Sequence, residues 1–263
     1  MLGLHYQSHY GHADWKQKNG LGTKPPQHSL QFFDAAGTAV HKVFAKPGTD
    51  LAAWQALVDR FRADDQGTGL LAEPAKPREA DRPDAEIDVP AFREAWASMR
   101  DTHEFFGLLR RHGVGRAQAL RLAEPRFVQP VEPGPGGAAR ELLERAAADH
   151  TPIMVFVGNP GMIQIHTGPV KRVQVLGPWV NVLDPGFNLH LREDHIASAW
   201  VVRKPTTDGL VTALELFDAE GNTIAMLFGE RKPGRPELCC WRQLVAGVLP
   251  DRGWMGEHAC AAC

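Results

Sequence analysis

Two zones of different hydrophobic period divide this sequence from residue 90 onward. From Pro90 onward, Phe92, Trp96, Met99, His103 and Phe106 recur every three or four residues, the spacing of one helix face. Asp88 just ahead of Pro90 suits a helix entry, and Gly113 closes the run LLRRHG. Gly115 opens a second short helix, RAQALRLAEP, and GGAARELLERAAADH predicts a third. Beyond residue 150 the pattern becomes that of strands. The stretches TPIMVFVG, MIQIHTG, RVQVLGPWVNVLD, FNLHLRED, IASAWVVRKP, LVTALELFD and NTIAMLFG lie between Gly, Pro and Asp breaks. They predict seven antiparallel strands, closed by a helix in PELCCWRQLVAGVL. Helices segregated from a large antiparallel sheet define an α+β fold.

Part of this pattern occurs twice. SLQFFDAAGTAVHKVF at 29–44 is echoed by ALELFDAEGNTIAMLF at 213–228, and KPGTDLAAWQALV by KPGRPELCCWRQLV. Each copy reads as strand, D-A-x-G turn, strand and amphipathic helix, with Asp and Gly supplying the turn chemistry. A repeat spaced this widely predicts two homologous domains. The second copy has 124 residues between Pro90 and Leu214, whereas only 29 precede Leu30, so the first repeat is expected to be truncated. The expected organisation is a short first repeat over 1–72, a linker over 73–89, a complete repeat over 90–250 and a tail over 251–263. The linker reading rests on Pro74, Pro77, Pro83 and Pro90 set among charges.

Composition narrows the functional classes. The net charge of −2 leaves no global basic field for nucleic acid or anionic lipid. No apolar run approaches the roughly 20 residues of a membrane span, and the start lacks a signal-peptide centre, so a cytoplasmic location is expected. The four cysteines suggest no secreted disulfide framework. His258, Cys260 and Cys263 near the end offer soft-metal donors, but a closed zinc site needs four ligands. His5, His9 and His12 would share a face of a helix, yet Gly3, Gly11, Gly20 and Gly22 argue for a loose segment.

The residue that stands out is His103, in SMRDTHEFFGLL. On the predicted stripe it is either a core histidine that hydrogen-bonds a neighbour or a ligand for something flat, apolar and metal-bearing. Lys204 in VVRKPT and Arg231 in FGERKPG each follow strand-like residues and precede a Pro-led turn, where side chains line a cleft mouth or lie as solvated surface charge. His166, His190 and His195 read as structural or surface groups.

With DTHEFFGLLRRHGVGRAQALRLA, HTGPVKRVQVLGPWVNVLDPGFNLHLREDHIASAWVVRKPT and ELFDAEGNTIAMLFGERKPG in view, the chain resembles the bacterial cytoplasmic hemin-transport proteins. These are also called hemin-degrading factors, the HemS/ChuS/PhuS group. The resemblance runs from about residue 29 to 250. It implies two tandem repeats, each a large antiparallel sheet with helices, and heme held in a cleft by the C-terminal half. It implies His103 as the axial ligand of ferric heme, Arg116 near the distal face or cleft rim, and Lys204 and Arg231 facing the propionates. Some relatives have a Tyr-Gln pair where this chain has Ala225-Met226. The implied role is a carrier that receives imported hemin and passes it to a heme oxygenase, with an inner-membrane importer as a further partner. The other readings are an enzyme that degrades heme with an external electron donor, and a truncated relic. No G-x-G-x-x-G fingerprint accompanies the second reading. Self-association through an unpaired sheet edge of the short repeat is also expected.

Overall fold

The computed structural model describes residues 3–9, 27–62, 72–75, 77 and 80–251, with side chains from His28 onward. It divides into two compact units, residues 1–78 with 159–162, and residues 79–158 with 163–263. The His258, Cys260 and Cys263 cluster, and His12, lie outside the described residues. No helix among them is long and apolar enough to cross a membrane.

The first unit holds strands β1 (Gly3–His9), β2 (Gln27–Phe33) and β3 (Ala39–Phe44) in that order, then helix α1 (Leu51–Phe61). The expectation of a loose N-terminus is corrected. Residues 3–9 pair antiparallel with β2 from Gly3 opposite Phe33 to His9 opposite Gln27, and this backbone ladder outweighs the glycine signal. Between β2 and β3, the Asp34 carboxylate accepts from the N–H groups of Ala36 and Thr38, and Gly37 takes φ 80°. The second copy uses the same device. There Asp218 accepts from Asn222 N–H at 2.7 Å, and Gly221 takes φ 77°.

In the second unit, helices α2 (Val89–Ala97), α3 (Glu104–His112) and α4 (Arg116–Leu122) precede strand β4 (Val128–Val131) and helix α5 (Ala138–Ala148). Then come β5 (Ile153–Asn159), β6 (Met162–Gly168), β7 (Val173–Leu176), β8 (Trp179–Asp184), β9 (Phe187–Arg192), β10 (Ser198–Thr206), β11 (Gly209–Phe217) and β12 (Thr223–Gly229). Helix α6 (Cys239–Val248) is the last element of the described residues. The architecture is α+β, as expected. Two strand predictions need correction. RVQVLGPWVNVLD is a hairpin because Gly177, at φ 56°, turns the chain between β7 and β8. The pattern also missed β4, a four-residue edge strand carrying Pro130, as edges tolerate. Within the segment expected as a linker, Gln118 donates to the Arg82 carbonyl and to Asp84, and Ile87 is buried, so residues 82–87 are held against α4.

The sheet order β4-β10-β11-β12-β5-β6 sets up the site. Alternation sends Val201, Leu214, Leu216, Leu227 and Val155 to one face, where they pack with Leu142 and Leu143 of α5 and Trp241 and Leu244 of α6. The other face is divided. At one end Val202 and Phe217 pack with Phe92, Trp96, Phe105 and Leu108. At the other end it lies open. The sheet lies close on α6 at Gly229, where an added Cβ would stand 2.5 Å from Trp241 Cγ. Gly229→Ala is therefore expected to destabilise the fold by about 1–3 kcal/mol through overpacking. Urea unfolding of the two chains checks this, and equal midpoints would refute it.

Candidate functional site

The open end of that face is the floor of a cleft of about 600 Å³. Register explains why its residues converge. Lys204 stands opposite Val211 across β10–β11, Met226 opposite both Glu215 and Phe156, and Phe228 opposite Met154. All of these except Glu215 reach the cleft surface, together with Arg116, Ile163 and Arg231. The result is an apolar trough with cations set into it. A larger groove of about 780 Å³ lies on the outer face of β7–β9, lined by Leu176, Trp179, Asn181 and His190. It gathers no cluster of charges, so its chemistry is poorer.

His103 lies at the lip of the cleft, and its placement corrects the expectation of one continuous helix. α2 ends at Ala97, and a new helix begins at residue 103, where His103 is the N-cap of α3. Its side chain is 93% exposed, and Phe106 is exposed as well, so neither lies on a buried stripe. Asp101 lies in the break. Its Oδ1 accepts from the His103 backbone N–H at 2.8 Å and lies 2.6 Å from His103 Nδ1. Such a side-chain-to-backbone bond makes a local turn that competes with continuation of the helix. The same backbone hydrogen bond, with the His103 side chain adding to it, holds the Asp101 carboxyl below its usual range.

Lys204 also departs from expectation. It does not follow a strand but lies inside β10, and its side chain is 5% exposed. Its Nζ is 2.6 Å from Glu215 Oε1 and 4.3 Å from the Phe105 ring centroid. Arg116, at the start of α4, grips the same carboxylate through Nε at 2.8 Å and Nη2 at 2.9 Å. Its Nη2 also stands 3.0 Å from Met226 Sδ. Burial alone would raise the Glu215 pKa, but the pull of Lys204 and Arg116 brings it down to about 2. Burial lowers that of Lys204, against the attraction of Glu215. Two cations against one carboxylate leave this buried triad one positive charge in excess. Glu215 is the member that sequence reasoning missed. It is a polar position within a strand pattern, and nothing local to LELF marks an ion partner.

Arg231 stands where expected, just beyond β12 at the cleft rim. Its Nη2 pairs with Asp208 at 3.3 Å, while its Nε is buried with no hydrogen-bond partner. The structure thus brings His103, Arg116, Lys204 and Arg231 to one cleft. His166 stacks on Phe187 at 3.8 Å and His190 bonds Asn181 at 2.7 Å, so both belong to the sheets.

Fold and cleft together define a duplicated α+β repeat protein with a single-histidine cleft. The chain belongs to the family described as haemin-degrading HemS.ChuX domain, which matches residues 11–61 and 113–248. His103 lies between the two matched stretches. The chain is 41% identical over 223 residues to the hemin transport protein HmuS of Yersinia pestis, covering 85% of this chain and 63% of that one. Among solved structures, holo-PhuS, a heme-binding protein from Pseudomonas aeruginosa, is 48% identical with a TM-score of 0.79, over 85% of this chain and 64% of that one. ChuS, an E. coli heme oxygenase, is 38% identical with a TM-score of 0.77, over 94% and 68%. The chain thus spans under two thirds of the length of HmuS and PhuS.

Proposed function

We propose that this chain binds ferric heme in the cleft of its second repeat, through His103, and holds it for transfer. One observation carries the reading, which is the donor set of the cleft. A single imidazole offers one nitrogen, suited to an iron that already has four from a macrocycle. Phe105, Phe156, Phe228 and Ile163 suit the faces of a tetrapyrrole. The excess charge of the Arg116–Glu215–Lys204 triad and the unpartnered Nε of Arg231 suit its propionates. The relatives named as hemin transport and heme-binding proteins support the same reading.

Within it the residues have separate tasks. His103 supplies the ligand, Arg231 and the triad hold the carboxylates, and the Phe walls exclude water from the bound faces. Heme is the cargo, and its iron is the group that His103 would bind. A heme oxygenase would be the receiver and an inner-membrane importer the donor. Degradation by this chain itself is the competing reading, favoured by the likeness to the ChuS heme oxygenase.

Titration of the purified chain with hemin is expected to give a one-to-one complex with a shifted Soret band. Ascorbate in air with catalase present is then expected to leave that band intact. Catalase-resistant conversion to a biliverdin-type product would assign degradation instead. An unshifted Soret band would overturn both readings.

A further inference from the structure

We infer that Asp101 is a positioning residue that makes His103 an electron-rich ligand, so that the cleft retains ferric heme in preference to ferrous heme. This rests on the assignment of His103 as the ligand and adds a property that the assignment alone does not supply.

The geometry leaves the imidazole one arrangement. An ionised carboxylate only accepts hydrogen bonds, and Asp101 Oδ1 lies 2.6 Å from His103 Nδ1. Nδ1 therefore carries the hydrogen, and the lone pair is on Nε2, the nitrogen left to bind a metal. The same Oδ1 also accepts from the His103 backbone N–H at 2.8 Å, and this second bond holds the carboxylate beside the imidazole. Arg231, which lines the same cleft, already has Asp208 at 3.3 Å. The negative charge on Asp101 is thus directed mainly at the imidazole.

A carboxylate hydrogen-bonded to a metal-binding histidine raises the basicity of the ligating nitrogen. A more basic donor stabilises the higher oxidation state of the iron. Oxidative cleavage of a tetrapyrrole begins with addition of one electron from an external reductant to ferric iron, giving the ferrous state that binds oxygen. Asp101 opposes that electron. It therefore bears on the choice between holding heme and degrading it.

Asp101 also holds the backbone N–H of His103 just ahead of α3, and this role must be separated from the electronic one. Asparagine keeps an acceptor oxygen for that N–H but carries no charge. Asp101→Asn should leave the thermal unfolding of the heme-free chain unchanged, whereas Asp101→Ala also loses the bond to the His103 N–H. The experiment is spectroelectrochemistry of the full chain loaded with hemin, beside resonance Raman of the reduced complex. Relative to the parent, Asp101→Asn is expected to change the ferric-to-ferrous affinity ratio about tenfold, the lower end of the effect of removing such a partner. That is an upward shift of about 59 mV for a one-electron couple. The iron–histidine stretching band is expected to move to lower frequency. A His103→Ala control separates the failures. If the hemin spectrum ignores His103→Ala, the ligand assignment fails and the inference falls with it. If the spectrum responds to that change but potential and Raman band ignore Asp101→Asn, the ligand stands and the role of Asp101 is overturned.

Discussion

Replacing His103 by alanine is expected to weaken hemin binding by on the order of 100-fold or more, at the upper end of or beyond the 10–100-fold effect of removing a residue that merely supports a ligand. The Soret shift seen with the parent chain should vanish at hemin concentrations near the chain's own. The position is unusually clean for such a test. The His103 side chain is 93% exposed and, among the described residues, bonds only Asp101, so its loss creates no cavity. Surface changes of this kind move stability by about 0.5 kcal/mol or less. The heme-free variant should unfold at the temperature of the parent, and a binding defect can then be read as loss of a ligand. Among the described residues, His103 is the one imidazole that lines the cleft. Comparable affinities of parent and variant, measured by titration, would remove His103 from the site and leave the cleft without its nitrogen donor.

The largest effect on stability is expected at Glu215. Its side chain is fully buried between Lys204 and Arg116, and Glu215→Gln keeps the shape while removing the charge both cations need. Breaking a buried ion pair from one side costs about 3–5 kcal/mol, because the remaining charge is left uncompensated. At about 2–4 °C per kcal/mol for a repeat of this size, melting should fall by roughly 10 °C. Adding Lys204→Met should recover part of the loss, since it removes one of the stranded cations. The acid limb offers a second readout. The Glu215 pKa is depressed from its ordinary 4.5 to about 2 in the folded chain. Its contribution is therefore fully present above pH 4.5 and is lost as pH falls from 4.5 through about 2. The parent should lose stability steeply across that window, and Glu215→Gln should lose less. Melting temperatures within 2 °C at neutral pH, or identical acid limbs, would show that the triad is not what holds this face.

The two experiments bear on different links. His103 was legible as a candidate because an imidazole among Phe105, Phe106, Leu108 and Leu109 is conspicuous, yet its exposure was not. The hydrophobic spacing ran on through Met99 and His103 as if the helix were unbroken. The contrary signal was present in Asp101, a helix-starting residue two positions earlier, and was outweighed by periodicity. Arg231 could be placed from its strand end and the proline beyond. Lys204 could not, because a lysine before Pro205 resembles a turn residue until β10 is seen to continue to Thr206.

By itself the amino-acid sequence determined what short-range chemistry controls. This includes the Asp-Gly turns of both copies, the αL stop at Gly113, the segregation of helices from strands, and the duplication. These depend on hydrogen bonds and backbone preferences within a few residues. Tertiary structure alone decided which polar groups meet. Arg116 reaches Glu215 across 99 positions, and Lys204 reaches it across 11, because antiparallel register and the seating of α4 bring them to one face. Burial strengthens such charge pairs by removing water, and burial depends on the packed sheet as a whole. The composition of the cleft therefore became visible only when the strands were aligned.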